Sequence, residues 1–177
     1  MTQKNAGLFF RPFAVSQMRS GGVNIKIEAT EMECATIAAD FKLSGVNSLV
    51  AEFRLTGNSN RIKAVGRIEA NIQQICVVSL DPFDSILKED MEIIFADKDR
   101  KRRQTEQPES EEDGPDPIIN GQIDLGEVTL EFLALGLDPY PRKPGVSFED
   151  VQKMINEKNG PFAALGEFAA DKREGGS

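Results

Sequence analysis

Apolar and polar residues alternate over long stretches of this chain, and that alternation predicts most of its elements. After Gly21 and Gly22, the residues Val23, Ile25, Ile27 and Ala29 alternate with Asn24, Lys26 and Glu28, the period of a strand with one buried face. Leu49, Ala51, Phe53 and Leu55 alternate with Val50, Glu52 and Arg54, and the Gly57 to Asn60 stretch then reads as a turn. Alternation resumes through Ile62, Ala64, Gly66, Ile68, Ala70, Ile72, Cys76, Val78 and Leu80, with Gln74 its polar exception. The two arms predict an antiparallel hairpin. Strands rarely exceed about ten residues, so the returning arm is expected to bend or break, at Gly66 or within Asn71 to Gln74. Asp81, Pro82 and Phe83 read as the end of that run, and Met91, Ile93 and Phe95 as one further strand. Leu8 to Val15 is β-prone but contains Pro12, which has no N–H for a central ladder, so an edge strand is expected.

Helical spacing takes over in two places. Thr30 and Glu33 form a capping-box pair, and Cys34, Ile37, Ala38 and Phe41 follow at helical spacing until Ser44 and Gly45. Asp124 and Glu127 form a second capping pair, opening a helix through Leu125, Val128, Leu130, Phe132, Leu133, Leu135 and Leu137. That helix is apolar on nearly every side and is expected to be the most buried element. Pro139, Pro141 and Pro144 stop it. Ser147 and Asp150 predict a polar third helix reaching about Lys158, and Pro161 to Ala170 a short apolar tail helix. From Lys98 to Asp116 there is no apolar periodicity, and a basic block precedes an acidic one, the pattern of a disordered loop.

These elements predict a single α+β domain over residues 7–170, interrupted by a flexible charged loop at 98–116, with residues 1–6 and 171–177 as flexible tails. The sheet should be curled and mainly antiparallel, with an open barrel as the limit of that curl, and two capped helices should pack on it.

Composition narrows the function. No apolar run approaches the roughly 18–20 residues of a membrane-spanning helix, and no apolar signal segment opens the chain, so a cytoplasmic protein is expected. Histidine is absent, which removes the commonest general base and the commonest neutral metal ligand. Cys34 and Cys76 stand far apart and cannot supply a four-ligand zinc site, so both read as small buried residues. No phosphate-binding loop or dinucleotide fingerprint is present. Pairs such as Asp81 with Asp84 and Asp124 with Glu127 are accounted for by turns and caps. The expectation is therefore no enzyme, no catalytic residue, no metal and no cofactor.

Two segments have the chemistry of contact surfaces. Asp138 to Gly145, DPYPRKPG, combines rigid prolines with Asp138, Tyr140, Arg142 and Lys143, a preorganised binding segment in which Tyr140 is the chain's single tyrosine. The other reading is that the prolines end the helix and Tyr140 covers the core. Arg100, Lys101, Arg102 and Arg103 are the alternative, RNA-contacting set, with the acidic half of their loop competing for them. A net charge of -8 repels a phosphate backbone at long range, so any RNA contact is expected to be local or carried by a partner.

Gln74 to Phe83, QICVVSLDPF, and Ile123 to Gly145, IDLGEVTLEFLALGLDPYPRKPG, resemble in that order the YceD-type family of large ribosomal RNA subunit accumulation proteins, and its alphaproteobacterial branch in particular. The likeness extends from about Phe9 to the tail segment at Pro161 to Leu165. It implies a cytoplasmic, non-enzymatic role in the synthesis, processing or stability of large-subunit ribosomal RNA, with that RNA or a pre-ribosomal protein as partner and neither DNA nor membrane. The alternative is an adaptor that binds a ribosomal protein or a nuclease without touching RNA. Several such proteins carry Cys-x-Arg-Cys-Leu where this chain has Cys76, Val77, Val78, Ser79 and Leu80. A metal or thiol role is therefore not carried over, and Cys76 is expected to be a core residue.

Overall fold

The computed structural model describes residues 8–97 and 114–146. Its elements in chain order are β1 (Pro12–Ala14), β2 (Val23–Glu28), α1 (Glu31–Asp40), β3 (Gly45–Asn58), β4 (Arg61–Ile75), β5 (Pro82–Ala96), β6 (Asp116–Pro117), β7 (Gln122–Asp124) and α2 (Leu125–Gly136). They make an α+β fold with a five-stranded sheet in the order β2-β3-β4-β5-β6 and a two-stranded sheet of β1 with β7. The larger sheet is mainly antiparallel and does not close into a barrel. Two compact units are present, one of residues 1–74 and 84–139, the other of residues 75–83 and 140–177.

In the first unit the predicted hairpin forms as the alternation requires. β3 pairs antiparallel with β4 from Asn58↔Arg61 to Gly45↔Gln73, and the Asn58 side chain closes the turn by accepting from the N–H groups of Asn60 and Arg61. Leu49, Ala51, Phe53, Leu55, Ile62, Ala64, Ile68, Ala70 and Ile72 are all buried, so the sheet presents one apolar face. Gln74, the polar exception, is buried too and accepts a hydrogen bond from the Ser85 hydroxyl at 3.0 Å, which satisfies it.

The bend falls on the other arm from the one expected. One extra residue in β3 between Val46 and Ser48, opposite Ile72 and Asn71, shifts the pleat. Val46 and Leu49, of opposite parity, consequently both point into the core. β4 is one unbroken strand of 15 residues to Ile75 and stops before the predicted Leu80. Residues 76–79 turn, and β5 begins at Pro82, well before Met91. Its inward positions include Ser85 and Glu89, and the outward Ile86 is 65% exposed, so the first half of the strand lacks a clean alternation. Pro12 and Pro82 occupy first positions of strands, where a missing N–H costs least.

Thr30 and Glu33 cap α1 reciprocally, and Cys34, Ile37 and Ala38 are its buried stripe, packed on β3. At the start of α2, Asp124 Oδ1 accepts from the N–H of Gly126 and of Arg11, both at 2.9 Å. The cap thus also fastens the N-terminal segment, and Leu125 N donates to the Arg11 carbonyl. α2 is one-sided: Leu125, Val128, Thr129 and Leu133 are buried, whereas Leu135 is 79% exposed, which corrects the expectation of burial on nearly every side. Asp116, expected within the charged loop, pairs in parallel with Phe95 as part of β6. The rest of that loop up to 113, the helices expected after Ser147 and at Pro161 to Ala170, and the tails 1–6 and 171–177 lie outside the described residues.

Candidate functional site

Cys76, immediately after β4, carries the most distinctive local geometry of the second unit. Its carbonyl accepts from Leu80 N at 2.9 Å, and its N–H donates to the Asp81 carbonyl at 2.9 Å, so the chain reverses within a few residues. Leu80 completes the reversal with φ of 62°, a left-handed conformation that glycine or asparagine adopts far more readily than leucine. This turn is why a β-branched, strand-like sequence at Val77 and Val78 does not continue β4.

The Cys76 sulfur holds a second segment. It accepts the backbone N–H of Ser79 at 3.4 Å and that of Lys143 at 3.3 Å, while Val77 N donates to the Pro141 carbonyl at 2.9 Å. Val146 N then donates to the Lys143 carbonyl, closing the proline segment on itself. These contacts tie together the two stretches singled out in the sequence, QICVVSLDPF and DPYPRKPG.

Cys76 is fully buried, as expected, although it lies outside the main apolar cluster. Hydrogen bonds from Ser79, through its side chain and its backbone, and from the Lys143 and Val78 backbone bring the thiol down to about 6 against the opposing effect of burial. Cys34, by contrast, sits in the core, where burial and the neighbouring Glu33 push its thiol up. Both cysteines are free, and among the described residues no three His, Cys, Asp or Glu side chains cluster as a metal site.

The proline segment displays its side chains outward. Tyr140 is 71% exposed, and Arg142 and Lys143 are exposed beside it, so Tyr140 does not cover the core. Asp138 is exposed as well but belongs to the end of the first unit. Leu80 at 75%, Ile75 at 53% and Val77 at 45% add exposed aliphatic surface to the second unit. Reading the sequence missed these three, because their alternation placed them in a strand. The available signal was the Leu-Asp-Pro sequence at its end, which favours a turn. Arg100, Lys101, Arg102 and Arg103 lie outside the described residues.

The outer face of the large sheet has cations of a different kind. Lys63 pairs with Glu92 at 2.7 Å, Arg67 with Asp90 at 2.6 Å and Lys88 with Glu69 at 2.9 Å. These charges neutralise one another across neighbouring strands, the arrangement of a solvated face. Among the described residues, no helix is long and apolar enough to cross a membrane.

Neither the curated proteins nor the solved structures contain a match. A family profile described as large ribosomal RNA subunit accumulation protein YceD matches residues 64–169, more than half of the sequence and including both the Cys76 turn and the proline segment. The chain belongs to the YceD family of large ribosomal RNA subunit accumulation proteins.

Proposed function

We propose that this protein is a non-enzymatic cytoplasmic factor that supports the synthesis, processing or stability of large-subunit ribosomal RNA by binding, and that Tyr140, Arg142 and Lys143 make the contact. The observation that carries the reading is that these exposed side chains stand on a proline-stiffened segment pinned to the Cys76 turn by two hydrogen bonds, Lys143 N–H to the Cys76 sulfur and Val77 N–H to the Pro141 carbonyl. Side chains on a segment already ordered lose little conformational freedom when a partner docks. Arg142 can pair bidentately with a phosphate or a carboxylate, Lys143 adds a point charge, and Tyr140 offers an apolar ring with a polar tip. The partner is the RNA itself or a protein of the pre-ribosomal particle.

Replacing Tyr140, Arg142 and Lys143 together by Ala should lower large-subunit RNA severalfold in cells that depend on this protein, while circular dichroism and the thermal melt stay unchanged. Normal RNA levels in cells containing folded, abundant triple variant would refute the assignment. A defect produced only by alanines at Arg100, Lys101, Arg102 and Arg103 would move the function to that segment.

A further inference from the structure

Leu80 is an unusual residue to find where it is. A leucine with φ of 62° and 75% exposure is held in a conformation that disfavours it and displays its side chain to water. Glycine would adopt the same turn without that disadvantage. Ile75 and Val77 are exposed on the same short stretch, and the Val77 bond to Pro141 brings Tyr140, Arg142 and Lys143 to it. The described residues of this unit carry Arg142 and Lys143 against Asp81 alone, so an apolar surface with a small positive excess occurs in a chain of net charge -8.

We propose that this surface docks a protein, with Leu80 as its apolar anchor, and that the docked segment of the partner presents apolar side chains next to Asp or Glu. The inference rests on the functional reading above and names the chemistry of the partner. Its composition argues for protein over RNA. A single-stranded RNA surface combines several cations along a track with aromatic platforms for stacking, whereas here three aliphatic side chains accompany one aromatic and two cations. Aliphatic side chains neither stack on bases nor neutralise phosphates. An apolar centre with an aromatic and an arginine beside it is instead the usual make-up of a protein interface. Two cations at its margin select a carboxylate-bearing partner and disfavour a basic one.

The test is site-specific photo-crosslinking of the full-length chain in cells, with the photoreactive residue at Val77. The expected adduct survives ribonuclease and is lost to protease, and its crosslinked peptide contains Asp or Glu next to apolar residues. L80G and the pair R142E with K143E should each lower its yield at least tenfold, and L80G should melt at the same temperature as the parent or higher. A synthetic copy of the captured peptide should bind the purified chain, lose at least tenfold in affinity when its acids become Lys, and regain it against R142E with K143E. Several results would overturn the proposal: a ribonuclease-sensitive adduct, an adduct to a second copy of this chain or to its own residues 147–177, a captured peptide without acids, a yield indifferent to L80G, or no adduct. The functional reading fails separately, through normal RNA levels in the triple alanine variant. A ribonuclease-sensitive adduct accompanied by an RNA defect would leave that reading standing and remove only the protein partner.

Discussion

Arg11 carries more separate contacts than any residue identified in the sequence would suggest. Its guanidinium meets both Glu33 oxygens at 2.8 Å, donates to the carbonyls of Phe10 and Glu28, and lies 4.3 Å from the centre of the Phe9 ring. Glu33 in turn completes the capping box of α1, so one carboxylate serves the helix start and the N-terminal segment together. The Arg11 bond, assisted by Thr30 and opposed by burial, takes the Glu33 carboxyl from 4.5 to about 2. A carboxyl depressed on folding contributes stability above its unfolded value, and that contribution disappears as the pH falls towards its folded one. Glu33→Gln should therefore cost about 1.5–3 kcal/mol at neutral pH, the range for a charge-assisted hydrogen bond. In urea melts the gap between variant and parent should close between pH 4.5 and 2, the interval over which the unfolded chain takes up the proton and the folded one still resists it. A gap independent of pH would show that the capping geometry, not the charge, matters at this position.

Cys76 obeys the same linkage from the alkaline side. Its thiol falls from 9.0 to about 6 on folding, so the stabilisation is complete above 9.0 and is lost as the pH drops through about 6. Thiolate absorbance should rise with a midpoint near 6, persist in Cys34→Ala and vanish in Cys76→Ala. The melting-temperature difference between parent and Cys76→Ala should widen from pH 6 to 9. A thiol that titrates only at alkaline pH in the folded protein would remove the sulfur from its place as acceptor for Lys143.

At the scale of elements, α2 pits local preference against packing at one position. Gly126 is in the first turn of a helix, where replacing glycine by alanine ordinarily stabilises by up to about 1 kcal/mol. Here a Cβ would run into the Phe9 carbonyl, and Phe9 itself is 1% exposed. Gly126→Ala should thus destabilise, by about 1–3 kcal/mol as overpacking does, and calorimetry decides the sign. The contrast also shows what could be read in advance. The hairpin, the capping box at Thr30 and the Asp124 cap depend on residues close in sequence, and their patterns are plain. The β3 bulge, the Gly126 approach and the full length of β5 depend on partners far along the chain, which alternation alone does not encode. Val77 and Val78 illustrate the same point: their strand propensity is overridden by the turn that Cys76 and Leu80 make.

For the molecule as a whole, charge and shape divide the labour between surfaces. On the outer sheet face Lys63, Arg67 and Lys88 are each paired with a carboxylate, which neutralises their charge within the sheet and keeps that face solvated. The candidate contact residues identified in the sequence, Tyr140, Arg142 and Lys143, are exposed together, but the sulfur that holds their backbone and the leucine beside them were legible only once the two segments were seen to meet. A segment 67 residues away in the chain supplies that support, so no local pattern could have shown it.

The pairing of β1 with β7 has a kinetic side. Pro12, Phe13 and Ala14 lie opposite Asp124, Ile123 and Gln122, and the Arg11 backbone reaches Asp124 across a sequence separation of 113. Contacts of such separation form late, because a long loop must close before they contribute anything. During synthesis from the N-terminus, Phe9 and Phe13 emerge well before β7 and the start of α2, so β1 remains without its strand partner until those segments have been made. Until then β1 has no strand to pair with, and the hairpin of β3 and β4, whose strands are neighbours in sequence, is the part that can assemble on its own schedule.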